Sequence, residues 1–315
     1  MSYFFLLCLI ILIAEKTFNR TGGIPMYYLL AAFCSSLIAL MIVTNGSLGA
    51  ACDVYLATVI IHATGLLLIS LILFLRKENP FRTGGCSPAL FLGGALGVGT
   101  TVFNNLSYGK ISVTAILALS LFGQALTSLI IDHFGFFDMP VRRFNRAKLL
   151  GFLCTFAGIV FLFYGSSFAW FPVIVSLLSG ITIVTSRSVN AELAGRTSPL
   201  ISTWYNYVVG LVCCTVLWLF AIPAGGSSFH FPVSSNLFIY TGGLIGVCSI
   251  LILNLTVKKM PAFIMTLIMF IGQIFTGMLL DFFAGEPFSL PKLLGGILAA
   301  AGLVTNLWLD RRSAA

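Results

Sequence analysis

The stretch GQALTSLIIDHF, residues 123–134, returns near the other end of the chain as GQIFTGMLLDFF, residues 272–283. Each copy sets a glutamine, a threonine and an aspartate on one face of a helix. An amide donates and accepts hydrogen bonds but neither titrates nor attacks, so the chemistry open to Gln124 and Gln273 is binding. Each has two readings, as interhelical glue at about 0.6 kcal/mol per bond or as half of a shared central site. His62 is the one titratable group near the centre of an apolar run, since Asp53, Arg76, Asp132, Arg187 and Asp281 lie near run ends. It reads either as a neutral imidazole bonded to a neighbouring helix or as a carrier of coupled protons. No Ser/His/Asp, His/Glu or paired-carboxylate pattern falls at the depth of these groups, which argues against an enzyme and gives no expectation of a metal or cofactor.

Other polar residues extend the candidate set. Asn105 and Asn254 occupy matching places and either bind a ligand or cap helix ends, while Asn104, one residue off, is expected to point elsewhere. Within TSRSVNAEL (185–193), Arg187 and Glu192 either snorkel to an interface or guard the inner mouth of a cavity. Trp204, Tyr205, Asn206 and Tyr207 form an interfacial belt or a stacking wall, with the belt favoured for Trp204.

The elements that must hold these groups follow from composition. Of 315 residues 59% are apolar and 8% charged, where a soluble domain needs roughly 25% charged residues to cover its surface. The chain reads as an all-α integral membrane protein in contact with lipid. Ten apolar runs, near 26–44, 53–75, 88–108, 111–131, 147–165, 168–186, 200–220, 234–255, 261–281 and 291–309, are expected to span. A shorter run, Tyr3–Ala14, reads as a short apolar helix that is either interfacial or a tilted, marginal span, and it lacks the features of a secretory signal. Three segments result: 1–20, the N-terminal apolar segment; 21–166, a first five-helix repeat; and 167–315, a second.

The repeat is wider than its motif. TNGSLG (44–49) matches VNAELA (189–194), Gly65 matches Gly210, and ALGVGTTVFNNLSYGK (95–110) aligns with LIGVCSILILNLTVKK (244–259). The counterpart of His62 is Tyr207, which does not titrate at physiological pH. Five helices per unit turn the second unit upside down, so residues of both copies converge near the midplane. Gly123, Gln124, Asp132, His133, Phe134, Gly135 and Pro140, followed by LLGFLCTFAGIVFLF, resemble the YdcZ-type branch of the drug/metabolite transporter superfamily, and this chain is similar to two such units fused. The second copy departs from the pattern, with Phe282 where His133 stands and Gly285-Glu286 in place of the Gly-Phe-Phe-Asp turn. The resemblance implies a ten-helix carrier with alternating access around a central cavity. It implies a small-molecule substrate, which the lack of a mid-span carboxylate directs towards neutral, zwitterionic or anionic metabolites. The other reading is a non-transporting receptor or scaffold, which needs no matched glutamines.

Of the 17 Lys and Arg residues, all but Lys110 and Lys292 fall on one side of these ten spans. The positive-inside rule puts that side, with the C-terminus, in the cytoplasm, and the net charge of +8 then reads as topology and not as nucleic-acid binding. A cysteine placed at Ser313 should therefore be labelled by a membrane-impermeant thiol reagent only after the cells are opened; labelling of intact cells would reverse the orientation.

Overall fold

The computed structural model describes residues 24–135, 148–162, 169–228, 234–257, 262–286 and 290–314. The run Tyr3–Ala14 and the side chains of Asp132 and Asn254 lie outside that description. Ten α-helices are present among the described residues: α1 (Ile24–Ala51), α2 (Val54–Arg76), α3 (Gly93–Ser107), α4 (Val113–Phe134), α5 (Lys148–Leu162), α6 (Trp170–Arg196), α7 (Pro199–Ala221), α8 (Gly242–Val257), α9 (Ala262–Phe283) and α10 (Leu290–Ala314). Single 3₁₀ turns, Pro88–Phe91 and Leu237–Thr241, precede α3 and α8. Six stretches are long and apolar enough to cross a bilayer: Met26–Ala51, Val54–Arg76, Pro88–Ser107, Val113–Ile131, Trp170–Arg196 and Pro199–Ala221. Large apolar side chains such as Leu67, Phe74, Phe171, Phe220 and Phe275 face outward while Ser, Thr, Asn and Gln are buried, the arrangement suited to a lipid surround.

Local chemistry fixes the helix ends. Asp53 accepts from the Tyr55 and Leu56 amides at 2.8 and 2.9 Å, and Ser198 accepts from Ile201 N at 3.2 Å, so α2 and α7 begin on side-chain caps. Lys77 (φ 55°) and Gly135 (φ 67°) close α2 and α4 in the left-handed conformation. Two helices outrun their apolar stretches. The sequence reading stops α1 near residue 44 and α6 near 186, yet they continue to Ala51 and Arg196. The polar segments TNGSLG and VNAELA stay helical because their asparagines and small residues pack on other helices. Asn45 lies on Gly242, Asn190 on Gly93, and the Tyr108 ring on Gly46.

The halves of the chain exchange packing partners. Helix α1 lies on α8 and α9, and its counterpart α6 lies on α3 and α4. Helix α2 packs on α7 and α8, and α7 on α2 and α3, while α4 meets α9 and α5 meets α10. The closest crossings use glycine. A Cβ at Gly94 would strike the backbone at Asn206 and Gly210, and one at Gly243 would strike the equivalent backbone at Ile61 and Gly65.

Asp281 of the repeated motif has a structural task. From α9 its carboxylate accepts from Val113 N (2.7 Å), Thr114 N (3.0 Å) and Thr114 Oγ1 (2.6 Å), so it satisfies the first amides of α4 from another helix. Asp281→Ala should lower stability by about 1–3 kcal/mol, while Asp281→Asn, which still accepts through one oxygen, should cost less. Melting temperatures of the detergent-purified proteins test this, and equal values for all three would remove the cap from the account.

Candidate functional site

A cavity of about 190 Å³ lies where α1, α2, α3, α4, α6, α7, α8 and α9 converge. Gln124 and Gln273 both line it, as do His62, Arg187, Asn206 and Tyr207. The structure thus brings together six of the ten candidates from sequence. Gln124 is half-buried and Gln273 fully buried. Arg187 Nη2 donates to Gln124 Oε1 at 3.3 Å, so the guanidinium stands beside the glutamine in the cavity. The reason is the extended α6, on which Arg187 is nine residues, about 14 Å, short of the C-terminal Arg196.

His62 and Tyr207 meet across the α2–α7 crossing, with ring centroids 5.8 Å apart. Each ring lies on the glycine of the other helix: Tyr207 on Gly65, His62 on Gly210. His62 Nδ1 is 2.8 Å from the Thr58 carbonyl, which must accept, so Nδ1 carries the proton. Tyr207 donates to the Gly243 carbonyl at 3.2 Å.

Four candidates lie elsewhere or outside the description. Asn105 is buried with both side-chain polar atoms unpartnered, turned towards Gly49 and away from the cavity. Asn104, set aside on sequence, takes the cavity-facing place, because one helical step rotates a side chain by about 100°. Tyr205 stacks edge-on against Phe91 (4.5 Å) and Trp204 (5.0 Å), on a different face of α7 from Asn206 and Tyr207. Glu192 pairs with Arg196 at 2.6 Å, one turn along α6, and does not reach the cavity. Asn254 falls where side chains are not described.

Sequence reasoning passed over a hydrogen-bonded wall. Asn190 Nδ2 donates to Asn206 Oδ1 (2.8 Å) and Ser186 Oγ (3.3 Å), Ser186 donates to the Gly93 carbonyl (2.8 Å), and Ser202 donates to the Asn190 carbonyl (2.7 Å). Asn45 and Asn190 were in view as the identical residues inside TNGSLG and VNAELA. Hydroxyl pairs hold α6 against its neighbours: Thr100 with Thr182 (2.8 Å), Ser176 with Ser107 (2.8 Å) and Ser179 with Ser120 (3.1 Å). Each is worth about 0.6 kcal/mol, so they act as glue.

The mirrored positions differ in polarity. Arg187 is answered by Ile42, Asn206 by Ile61, Ser186 by Met41 and Asn104 by Leu253, and all eight line the cavity. One wall, from α3, α4, α6 and α7, is polar, whereas the wall from α1, α2 and α8 is mainly aliphatic. On that side Asn45 has Ile61 and Met41 in the places of Asn206 and Ser186, and its Oδ1 is buried without a partner.

Comparison with known proteins agrees with this architecture. A crystal structure of another protein superposes with a TM-score of 0.61 over 93% of this chain and 99% of its own, at 17% sequence identity, a likeness of fold alone. Among curated proteins none matches the sequence. One family profile matches twice in tandem, at residues 26–161 and 171–305, and these are the two halves that exchange packing partners around the cavity. The chain belongs to the family described as "Putative inner membrane exporter, YdcZ", as a multi-pass inner-membrane transporter composed of two fused units of that type.

Proposed function

We propose that the protein is a secondary transporter that moves a small organic metabolite across the cytoplasmic membrane by alternating access. In this reading the ten helices span as two inverted five-helix repeats, the C-terminus is cytoplasmic, and the cavity is the substrate site. The carrying observation is that Gln124 and Gln273, the repeated glutamines, face one cavity walled by both halves of the chain. The exchange of packing partners supports the inverted arrangement, since a pseudo-two-fold axis in the membrane plane would relate α1 on α8 and α9 to α6 on α3 and α4. Glycine at the α3–α7 and α8–α2 crossings removes the side chains that would interlock them, which suits two halves that rock against each other.

The two glutamines differ in their surroundings, and the expected effects differ accordingly. Gln124 accepts from Arg187, so Gln124→Leu should weaken binding of the most stabilising metabolite from a thermal-shift screen by about 1–3 kcal/mol and should also loosen the guanidinium. Gln273→Leu should weaken binding by a similar amount. Leucine is close in bulk, so the melting temperature without ligand should change little. Affinity and melting temperature measured on the same samples decide the matter. Two variants with normal affinity and lowered melting temperature would make the glutamines glue and remove the shared site.

A further inference from the structure

Among the described residues that line the cavity, Arg187 is the one with a charged side chain and none carries a carboxylate. The acidic groups whose partners the structure gives are engaged elsewhere: Asp53 caps α2 and accepts from Ser227, Glu78 accepts from Ser198, Glu192 pairs with Arg196, and Asp281 caps α4. The side chain of Arg187 is exposed, but not to lipid. Ile183, Ser186 and Asn190 share its face of α6 and line the cavity with it, whereas Ile174, Leu178 and Ile181 occupy the outward face. Packing does not call for a cation here, because the mirrored position is filled by Ile42. A guanidinium set in this cleft, steadied by one neutral amide and given no counter-charge by the described residues, is matched by an anion that arrives from outside.

The opposite wall sets the rest of the ligand. Ile42, Ile61, Ile250 and Leu253 offer aliphatic surface to the same cavity. An inorganic anion would leave that surface against water, while an anion with a hydrocarbon body would cover it.

We propose that the cavity binds a small amphipathic organic anion, a carboxylate with a compact apolar body, whose charged end pairs with Arg187 and whose body lies on the aliphatic wall of α1, α2 and α8. Gln124 is a positioning residue for the guanidinium. The inference deepens the transporter reading by naming its substrate class, yet binding can be measured without transport.

The test uses radiolabelled benzoate on the purified full-length protein in lipid nanodiscs, read by scintillation proximity, with benzamide, benzylamine, acetate and inorganic phosphate as competitors. Benzoate should bind, and each competitor should displace it at least roughly tenfold less well than unlabelled benzoate, in line with the loss of a charge-assisted bond or of the apolar body. Arg187→Gln should lower benzoate affinity about 10- to 100-fold to the level of benzamide, and Arg187→Lys should keep part of the preference for the acid. Leu253→Asn should narrow the gap between benzoate and acetate. Failure of benzoate to bind the folded wild type, or benzamide or benzylamine competing as well as the acid, would overturn the proposal. Acetate or phosphate competing as well as benzoate would overturn the amphipathic part. If Arg187→Gln does not fold, Arg187→Lys and the wild-type competition series still decide. Benzoate that binds but is not carried into proteoliposomes would count against the transporter reading and leave the anion site standing.

Discussion

A polar group withdrawn from water must find a partner inside the protein, and this constraint orders the interior of the chain. The Asn206–Asn190–Ser186–Gly93 chain of hydrogen bonds, the hydroxyl pairs along α6 and the Asp281 carboxylate on the first turn of α4 each tie one half of the molecule to the other. These ties bring α3, α4, α6 and α7 to one side of a cleft. The opposing side relies on glycine crossings and aliphatic packing, with α1 and α8 joined through Ala31, Cys34, Ile245, Cys248 and Ile252. Helices α5 and α10 pack chiefly on each other, as at Thr155, whose hydroxyl bonds its own helix at Gly151 and lies 3.4 Å from the Ala299 carbonyl of α10. That pairing leaves the other eight helices free to line the cleft.

Repetition gives the scaffold and departure from repetition gives the chemistry. Where two helices must cross closely the copies agree: Gly65 and Gly210 each receive the other helix's ring, Gly93 and Gly242 each receive an asparagine, and Gly94 and Gly243 each meet backbone. Where side chains meet empty space the copies diverge, as in Arg187 against Ile42 and Asn104 against Leu253. Steric demand is the same on both sides of a pseudo-two-fold axis, but a ligand with two unlike ends makes unlike demands. His62 against Tyr207 is an intermediate case. Both rings pack on glycine and both bond a carbonyl, so the shared feature is a planar, hydrogen-bonding ring and not a shared ionisation.

Much of this was legible in the sequence. Composition gives the helical membrane class, and the repeated GQ and TNG/VNA segments mark residues that do meet at one cavity. Helix ends were less legible, because hydropathy registers the loss of apolar character at residues 44 and 186 but not the tertiary contacts that keep α1 and α6 helical beyond it. With the longer α6, Arg187 lies nine residues short of the helix end and not beside it, as the shorter run implied. The exchange of Asn104 for Asn105 has a similar origin. Matching the repeats selected Asn105 for its partner Asn254, but facing is set by helix phase, and the mirrored residue of the cavity-lining Asn104 is apolar. Tyr205 and Glu192 were drawn in by proximity in sequence to true lining residues, although adjacent positions on a helix face different neighbours.

The place of Arg187 in the cavity also bears on the contacts that α6 makes. A guanidinium at the centre of a membrane helix costs about 2.5–3.5 kcal/mol on insertion scales unless water or a partner reaches it. Helix α6 offsets that cost by binding its neighbours along most of its length, through Ser176, Ser179 and Thr182 before the arginine and Ser186 and Asn190 on either side of it. Helix α1 carries Ile42 at the mirrored position and needs no such series; among the described residues its polar contacts with neighbours are fewer, such as Ser36 with Thr276 at 3.0 Å and Ser47 with Tyr108 at 3.1 Å. The hydroxyls that read as simple glue are therefore concentrated on the helix that carries the charge, where the free energy of holding it in the cavity has to be found.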